Sequence, residues 1–294
     1  MSDNITTKEK QDELLEILKN VMDVCEKNNI KYMGFGGTCL GAVRHKGFIP
    51  WDDDIDILMP RKEYEKFKLI ANQQLPSKYK FYPPEELGYG TTGSGRVFDE
   101  ETTLIHKARY KTGSYRCGFC SDIMPLDGVP NNLCFRKIVA RLNYLTFLCG
   151  FIRNRKLRSI KHIYSYFLFF LSLPLKVLLK IFTSGGTSAK VHEKLYKKYD
   201  FEKYDTVSFS WSKRGSFKFF PSSLFRETQL LPFEDIMIPC PKDYDTYLKI
   251  HYGNYLELPP ENERRTHPAY VCSLTHSYKN YNPKTGKFDK DIEK

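Results

Sequence analysis

Acidic residues are what this chain lacks across its middle. From Asn131 to Asp200 only Glu193 and Asp200 stand against fourteen Lys or Arg, a local charge of +12. The full 294 residues carry 46 Lys or Arg and 35 Asp or Glu, net +11, so the remainder is close to neutral. An excess of this kind implies an anionic partner: nucleic acid, a membrane surface or a phosphorylated substrate.

A disulfide framework is missing too. The eight cysteines are scattered over a chain long enough to bury its own core, which predicts reduced thiols in a cytoplasmic setting. The pair in "CGFC" (117–120) has no second pair to complete a zinc site. The first residues show no basic flank followed by an apolar run, so no secretory signal is expected. Internal repeats and low-complexity tracts are absent. The one long apolar stretch, 163–182, is interrupted by Pro174, Lys176 and Lys180, which favours a helix lying in a membrane interface, or a buried helix pair, over a spanning one.

What is present divides into three parts: 1–130, a basic aromatic helical segment over 131–200, and 201–294. Thr6 and Glu9 form a capping-box pattern, and Leu14, Leu18, Val21, Met22 and Cys25 repeat at helical spacing, predicting a helix over 7–28. "IKYMGF" (30–35) reads as a strand running into Gly36 and Gly37, with a short helix over 38–43. A further helix is expected after Pro60, a mobile glycine-rich loop within 88–95, a buried strand in "GFCSDIMPLDGVP" (118–130), and a late helix from Pro241 to Gly253.

Against the basic trend, Asp52, Asp53, Asp54 and Asp56 fall within five positions. If 53–58 is a strand, alternation sends Asp54 and Asp56 to one face and Ile55 and Ile57 to the other. Two carboxylates so close repel in a dry site, and Mg²⁺ is a common way to hold them together beside substrate phosphates. Asp52 shares their parity at the edge of the loop; Asp53 points the other way and reads as structural. Upstream, Gly36, Gly37 and Thr38 open a short helix where backbone N–H groups and missing Cβ atoms admit phosphate oxygens. Arg44, His45 and Lys46 suit a pyrophosphate clamp. Asp122 sits among Phe119, Ile123 and Met124, where an unpaired carboxylate is costly; Asp127 is the fallback to Asp122 as a functional carboxylate and otherwise reads as a turn residue before Gly128. Arg264, Arg265 and His267 are further candidates for phosphate or acceptor contact.

The combination resembles the nucleotidyltransferase superfamily and, within it, the LicD-type phosphotransferase family. The matching stretches are "GGTCLGAVRHKGFIPWDDDIDILMPRKEYEKF" (36–67), "SDIMPLDGVP" (121–130) and "LPFEDIMIPCPKDYDTYLKIHYGNYLELPP" followed by "RRTH". The resemblance implies an α+β fold, a nucleotidyltransferase-like mixed β-sheet flanked by helices, with 131–200 as an insertion outside the match. It implies Mg²⁺-dependent (or Mn²⁺-dependent) transfer of a phospho-alcohol, phosphocholine foremost, from a CDP-alcohol donor such as CDP-choline to a cell-surface glycan such as teichoic acid or lipopolysaccharide. Asp54, Asp56 and Asp122 would be the catalytic and metal-binding carboxylates. The expected partners are the donor and a lipid-linked glycan at the inner face of the membrane, with peripheral membrane contact and no nucleic acid. Trp51 and Trp211 are candidates to receive a quaternary ammonium. Two rival readings remain: a nucleotidyltransferase moving NMP from an NTP, and a non-enzymatic membrane or nucleic-acid binder.

Overall fold

The computed structural model describes residues 5–87, 93–107, 117–154, 169–184, 186–209, 218–264 and 266–289. Trp211, Arg265, residues 163–168 and most of the glycine-rich loop (88–92) therefore lie outside the described residues.

Helix α1 (Thr7–Lys27) starts at the capping box: Thr6 Oγ1 accepts the Glu9 N–H at 3.2 Å, and the Glu9 carboxylate accepts the Thr6 N–H at 2.7 Å. Its Leu14, Leu18, Val21 and Cys25 are buried and lay the helix against the sheet. Strand β1 (Met33–Gly34) is shorter than the expected 30–35, because only Met33 and Gly34 pair with the next strand, at Leu58 and Ile57, before the backbone turns at Gly36, where φ is +53°. That turn opens α2 (Gly36–His45), which begins earlier and runs longer than the expected 38–43. Strand β2 (Asp56–Pro60) and helix α3 (Arg61–Gln74) follow, then β3 (Tyr79–Tyr82), β4 (Gly95–Asp99), β5 (Thr103–His106) and β6 (Cys120–Gly128).

Strand β6 organises the sheet. It runs parallel to β2 along one edge. Its other edge is shared, antiparallel, between β4 at its start and β7 (Thr206–Phe209) at its end. With β1, β3 and β8 (Phe220–Pro221) this makes a mixed seven-stranded sheet. The remaining strands form two-stranded pairs: β9 (Thr228–Phe233) with β10 (Ile236–Pro241), β11 (Ala269–Ser273) with β5, and β12 (Tyr281–Asn282) with β13 (Lys287–Phe288). In the middle of the chain lie α4 (Leu133–Asn154), α5 (Leu173–Phe182) and α6 (Thr187–Tyr196); the late helix is α7 (Tyr244–Tyr252), ending at Gly253 as expected. Both Tyr247 and Leu248 are buried, and the His251 ring stacks on Phe220. Among the described residues no helix is long and apolar enough to cross a membrane.

Asp127 corrects the sequence reading. It is a residue of strand β6 and not of a turn: its carboxylate is fully buried and takes two hydrogen bonds from Arg61, at 2.7 and 2.6 Å. Arg61 also pairs with Glu193 of α6 at 2.7 Å. The ion pair sits one residue beyond the last β2–β6 ladder partners, Pro60 and Leu126, so it pins the register of the two central strands and docks α6.

Candidate active site

The aspartates divide by parity as expected, although the ladder begins only at Asp56. Asp53, Ile55 and Ile57 are buried, while Asp52, Asp54 and Asp56 alternate with them and remain partly open. Thr38 fixes the start of β2 by accepting the Asp56 N–H on Oγ1 at 2.9 Å. Register then brings the acids of two strands together: Asp56 faces Asp122 across the parallel pair, and Asp122 faces Arg96 across the next. Arg96, Asp122 and Asp56 thus form one cross-strand row. The Arg96 Nε donates to Asp122 Oδ1 in a close ion pair, so Asp122 carries its own counter-cation.

Among the described residues Asp54 and Asp56 form no such ion pair; Asp54 shares a hydrogen bond with Asp52. Burial, and then the neighbouring Asp54, Asp122 and Asp52 carboxylates, push Asp56 well above the ordinary carboxylate range. Burial likewise raises Asp54, with Asp122 and Asp53 adding to it. Asp52 is pushed up to about 8, first by burial and then by Asp54, to which it hydrogen-bonds. Carboxylates converging on a partly desolvated point, each raised by burial and by its neighbours, offer oxygen donors of the kind a hard cation takes. Among the described residues no three His, Cys, Asp or Glu side chains are already placed to hold a metal ion. Two carboxylates completed by substrate phosphate oxygens is the usual Mg²⁺ arrangement, and this donor set fits it.

The glycine pair makes room for these acids. A Cβ on Gly37 would lie 2.3 Å from Asp52 Oδ2, and one on Gly36 would lie 3.0 Å from Asp56 Oδ2. The Gly36 N–H donates to Tyr247 Oη at 2.9 Å. Gly36→Ala is expected to cost about 1–2 kcal/mol through its left-handed backbone alone, and to displace Asp56. Thermal unfolding and a turnover assay on this variant should both show a loss; a variant with wild-type turnover would contradict the packing described.

Arg44, His45 and Lys46 sit on and just past the last turn of α2, about 12 Å along the helix axis from the glycines. Arg44 Nη1 donates to the Tyr255 carbonyl at 2.7 Å, Lys46 is exposed, and His45 meets the Trp51 ring edge-on at 6.4 Å. Arg264 lies 5.1 Å over the Trp51 ring, so this tryptophan already engages a cation. The structure therefore gathers Gly36, Gly37 and Thr38 with the carboxylates, and Arg44, His45, Trp51 and Arg264 into a second cluster. Tyr252 connects them. Its hydroxyl lies 3.7 Å from the position of a Gly36 Cβ, and burial together with Asp56, Asp52 and Asp54 raises its pKa.

His267 belongs with the acids through Asp53. The buried Asp53 Oδ1 accepts both the backbone N–H and the ring Nδ1–H of His267, at 3.0 and 2.9 Å, so Nε2 is the ring nitrogen turned away from Asp53. The Asp53 hydrogen bond, chiefly, raises the His267 pKa. Burial works to raise Asp53, yet the two bonds from His267 hold it below its ordinary value. The pair thus stabilises most where Asp53 is ionised and His267 protonated. That stability fades as pH falls through the depressed Asp53 pKa and as it rises through the raised His267 pKa. Asp53→Asn is expected to lower the thermal midpoint most near pH 5–6 and least above about pH 8; a loss independent of pH would contradict the pairing.

Arg96, Tyr252, the Asp53 partnership and His106, whose ring lies 5.7 Å from that of His267, were not read from the sequence as site residues. Arg96 had a signal: a cation directly before Val97 and Phe98 in a stretch read as a strand.

Residues 29–103 match a family described as LicD/FKTN/FKRP, nucleotidyltransferase domain. The chain is 28% identical over 277 residues to the lipopolysaccharide cholinephosphotransferase LicD of Haemophilus influenzae, covering 91% of this chain and 98% of that protein. It is 51% identical over 104 residues to an uncharacterized protein of Rickettsia prowazekii, 33% of this chain and 35% of that one.

Proposed function

We propose that this chain, a member of the LicD/FKTN/FKRP nucleotidyltransferase domain family through residues 29–103, is a transferase. It moves a phospho-alcohol group, phosphocholine foremost, from a CDP-alcohol to a hydroxyl of a cell-surface glycan presented on lipid at the inner face of the membrane. The observation that carries the reading is the Asp54–Asp56 set beside the glycine turn, without an ion pair among the described residues, and Asp122 held in register by Arg96. Similarity along nearly the whole length of a cholinephosphotransferase supports the choice of group.

In this reading Asp54 and Asp56 hold Mg²⁺, with Mn²⁺ as a substitute. When bound, the ion supplies charge neutralisation at the donor's phosphates. The acceptor oxygen attacks the donor's β-phosphorus in line; the new O–P bond forms as the bond to the bridging oxygen breaks, and CMP leaves. Asp122, fixed by Arg96, orients the hydroxyl and takes its proton, while His267, its ring held by Asp53, stays beside the carboxylates as a cation. Arg44, Lys46 and Arg264 line the approach as cations for the rest of the pyrophosphate.

Thermal stabilisation by ligands tests this. With Mg²⁺ present, CDP-choline should raise the unfolding midpoint more than CDP-ethanolamine, CDP-glycerol or CDP-ribitol, and CTP should do less. Stabilisation by CTP and by no CDP-alcohol would favour the rival that moves NMP from an NTP.

A further inference from the structure

Helix α5 carries an apolar side chain at most positions and buries none of its residues. Leu178, Ile181 and Phe182 are 52, 68 and 78% exposed. Helix α4 repeats the pattern on one side, where Phe135, Ile138, Leu142 and Leu145 follow one another at helical spacing and are all exposed, while Val139 and Ala140 turn inward. Between α4, α5 and α6 opens a groove of ≈ 350 Å³ whose walls include Leu145, Leu179 and Val191. A contiguous apolar surface of this extent marks a binding face.

Charge on the same helices says what covers it. Lys176 and Lys180 are one turn apart along one side of α5, with Val177, Leu178, Ile181 and Phe182 around the rest. Lys137 and Arg141 add exposed cations on α4, while Arg136 turns inward to the Pro130 carbonyl and Thr206 Oγ1, and no acid occurs between Asn131 and His192. A helix with lysines along one side and bulky apolar groups elsewhere suits an in-plane position. Its lysine stems lie along the hydrocarbon boundary and their ammonium groups reach anionic headgroups. Spanning is excluded for these helices by their length and composition.

We infer that α4 and α5 form a docking face for an anionic lipid bilayer, lying in its interface with their exposed apolar side chains inserted. The surface is independent of the transfer reaction, since none of its residues belongs to the carboxylate site.

Flotation of the full chain with phosphatidylglycerol or phosphatidylcholine vesicles tests the inference. Binding to phosphatidylglycerol is expected and should fall about tenfold or more as salt rises from roughly 0.1 to 1 M, where the screening length shrinks from about 10 to 3 Å. The paired variants Leu178→Asp with Ile181→Asp, and Lys176→Glu with Lys180→Glu, should each bind at least about tenfold more weakly. Both should keep the wild-type thermal midpoint and its shift with CDP-choline, because α5 buries nothing. No flotation, equal binding to phosphatidylcholine, or unchanged binding by the variants would overturn the inference. So would unfolding of the variants, which would place α5 in the core. A dimer that the Asp variant dissociates, without vesicle binding, would overturn it in favour of a second copy of the chain.

Discussion

Replacing Asp54 or Asp56 by Ala should lower Mg²⁺-dependent transfer by about three orders of magnitude, the scale of losing one preorganised electrostatic contact at a transferring group. Both variants should nonetheless fold. Neither carboxylate forms an ion pair among the described residues, and burial, with repulsion from neighbouring carboxylates, raises both above their ordinary pKa. A group whose folded pKa is raised costs the fold stability increasingly as pH rises above its unfolded value, until the folded value is passed. In metal-free buffer the variants are therefore expected to melt above the wild type at neutral pH, with the gain vanishing below about pH 4. Added Mg²⁺ should stabilise the wild type and leave the variants unmoved. Melting curves with and without Mg²⁺ at pH 4 and 7 check this. A variant that melts lower at neutral pH would mean these carboxylates hold the fold together instead of opposing it.

The second large effect is on stability. Arg61→Met should destabilise the protein by about 3–5 kcal/mol, because it strands the Asp127 carboxylate, fully buried, and Glu193 without their cation. For a chain of this size that corresponds to a thermal midpoint lower by about 10 °C. Burial already raises both carboxyls, and without Arg61 they should rise further, so the variant's deficit should shrink in acid as they protonate. Denaturation measured across pH checks the sign. Because Arg61 pins β2 to β6 just past Pro60 and Leu126, transfer should fall as well, through loss of the Asp56–Asp122 alignment.

The carboxylate site was legible in part because its rules are local. Alternation of side chains along an extended backbone separates Asp54 and Asp56 from Ile55 and Ile57, and it holds through Asp54 even though hydrogen-bonded pairing starts later. A lone Asp among Phe119, Ile123 and Met124 signals a carboxylate with a partner, and Asp122 has one. What was not legible depends on register and distant packing. That Arg96 stands beside Asp122, or that His267 closes on Asp53 from more than two hundred positions away, follows from pairing no local pattern encodes. Asp127 before Gly128 carries turn chemistry in sequence, but tertiary burial against Arg61 overrode it. The helix read as 38–43 was longer because the left-handed Gly36 begins it at the turn itself. The basic aromatic segment announced helices and a surface; only the exposure of α5 shows which side chains that surface presents.

The central claim is that the Asp54–Asp56 site transfers a phospho-alcohol and leaves the nucleotide behind. The most direct measurement is the identity of the nucleotide product when the full chain is incubated with Mg²⁺, CDP-choline and a glycan acceptor, in parallel with CTP. CMP formed from CDP-choline, dependent on Mg²⁺ and on acceptor and absent in Asp54→Ala, is the predicted result. Pyrophosphate released from CTP with no CMP from any CDP-alcohol would contradict it.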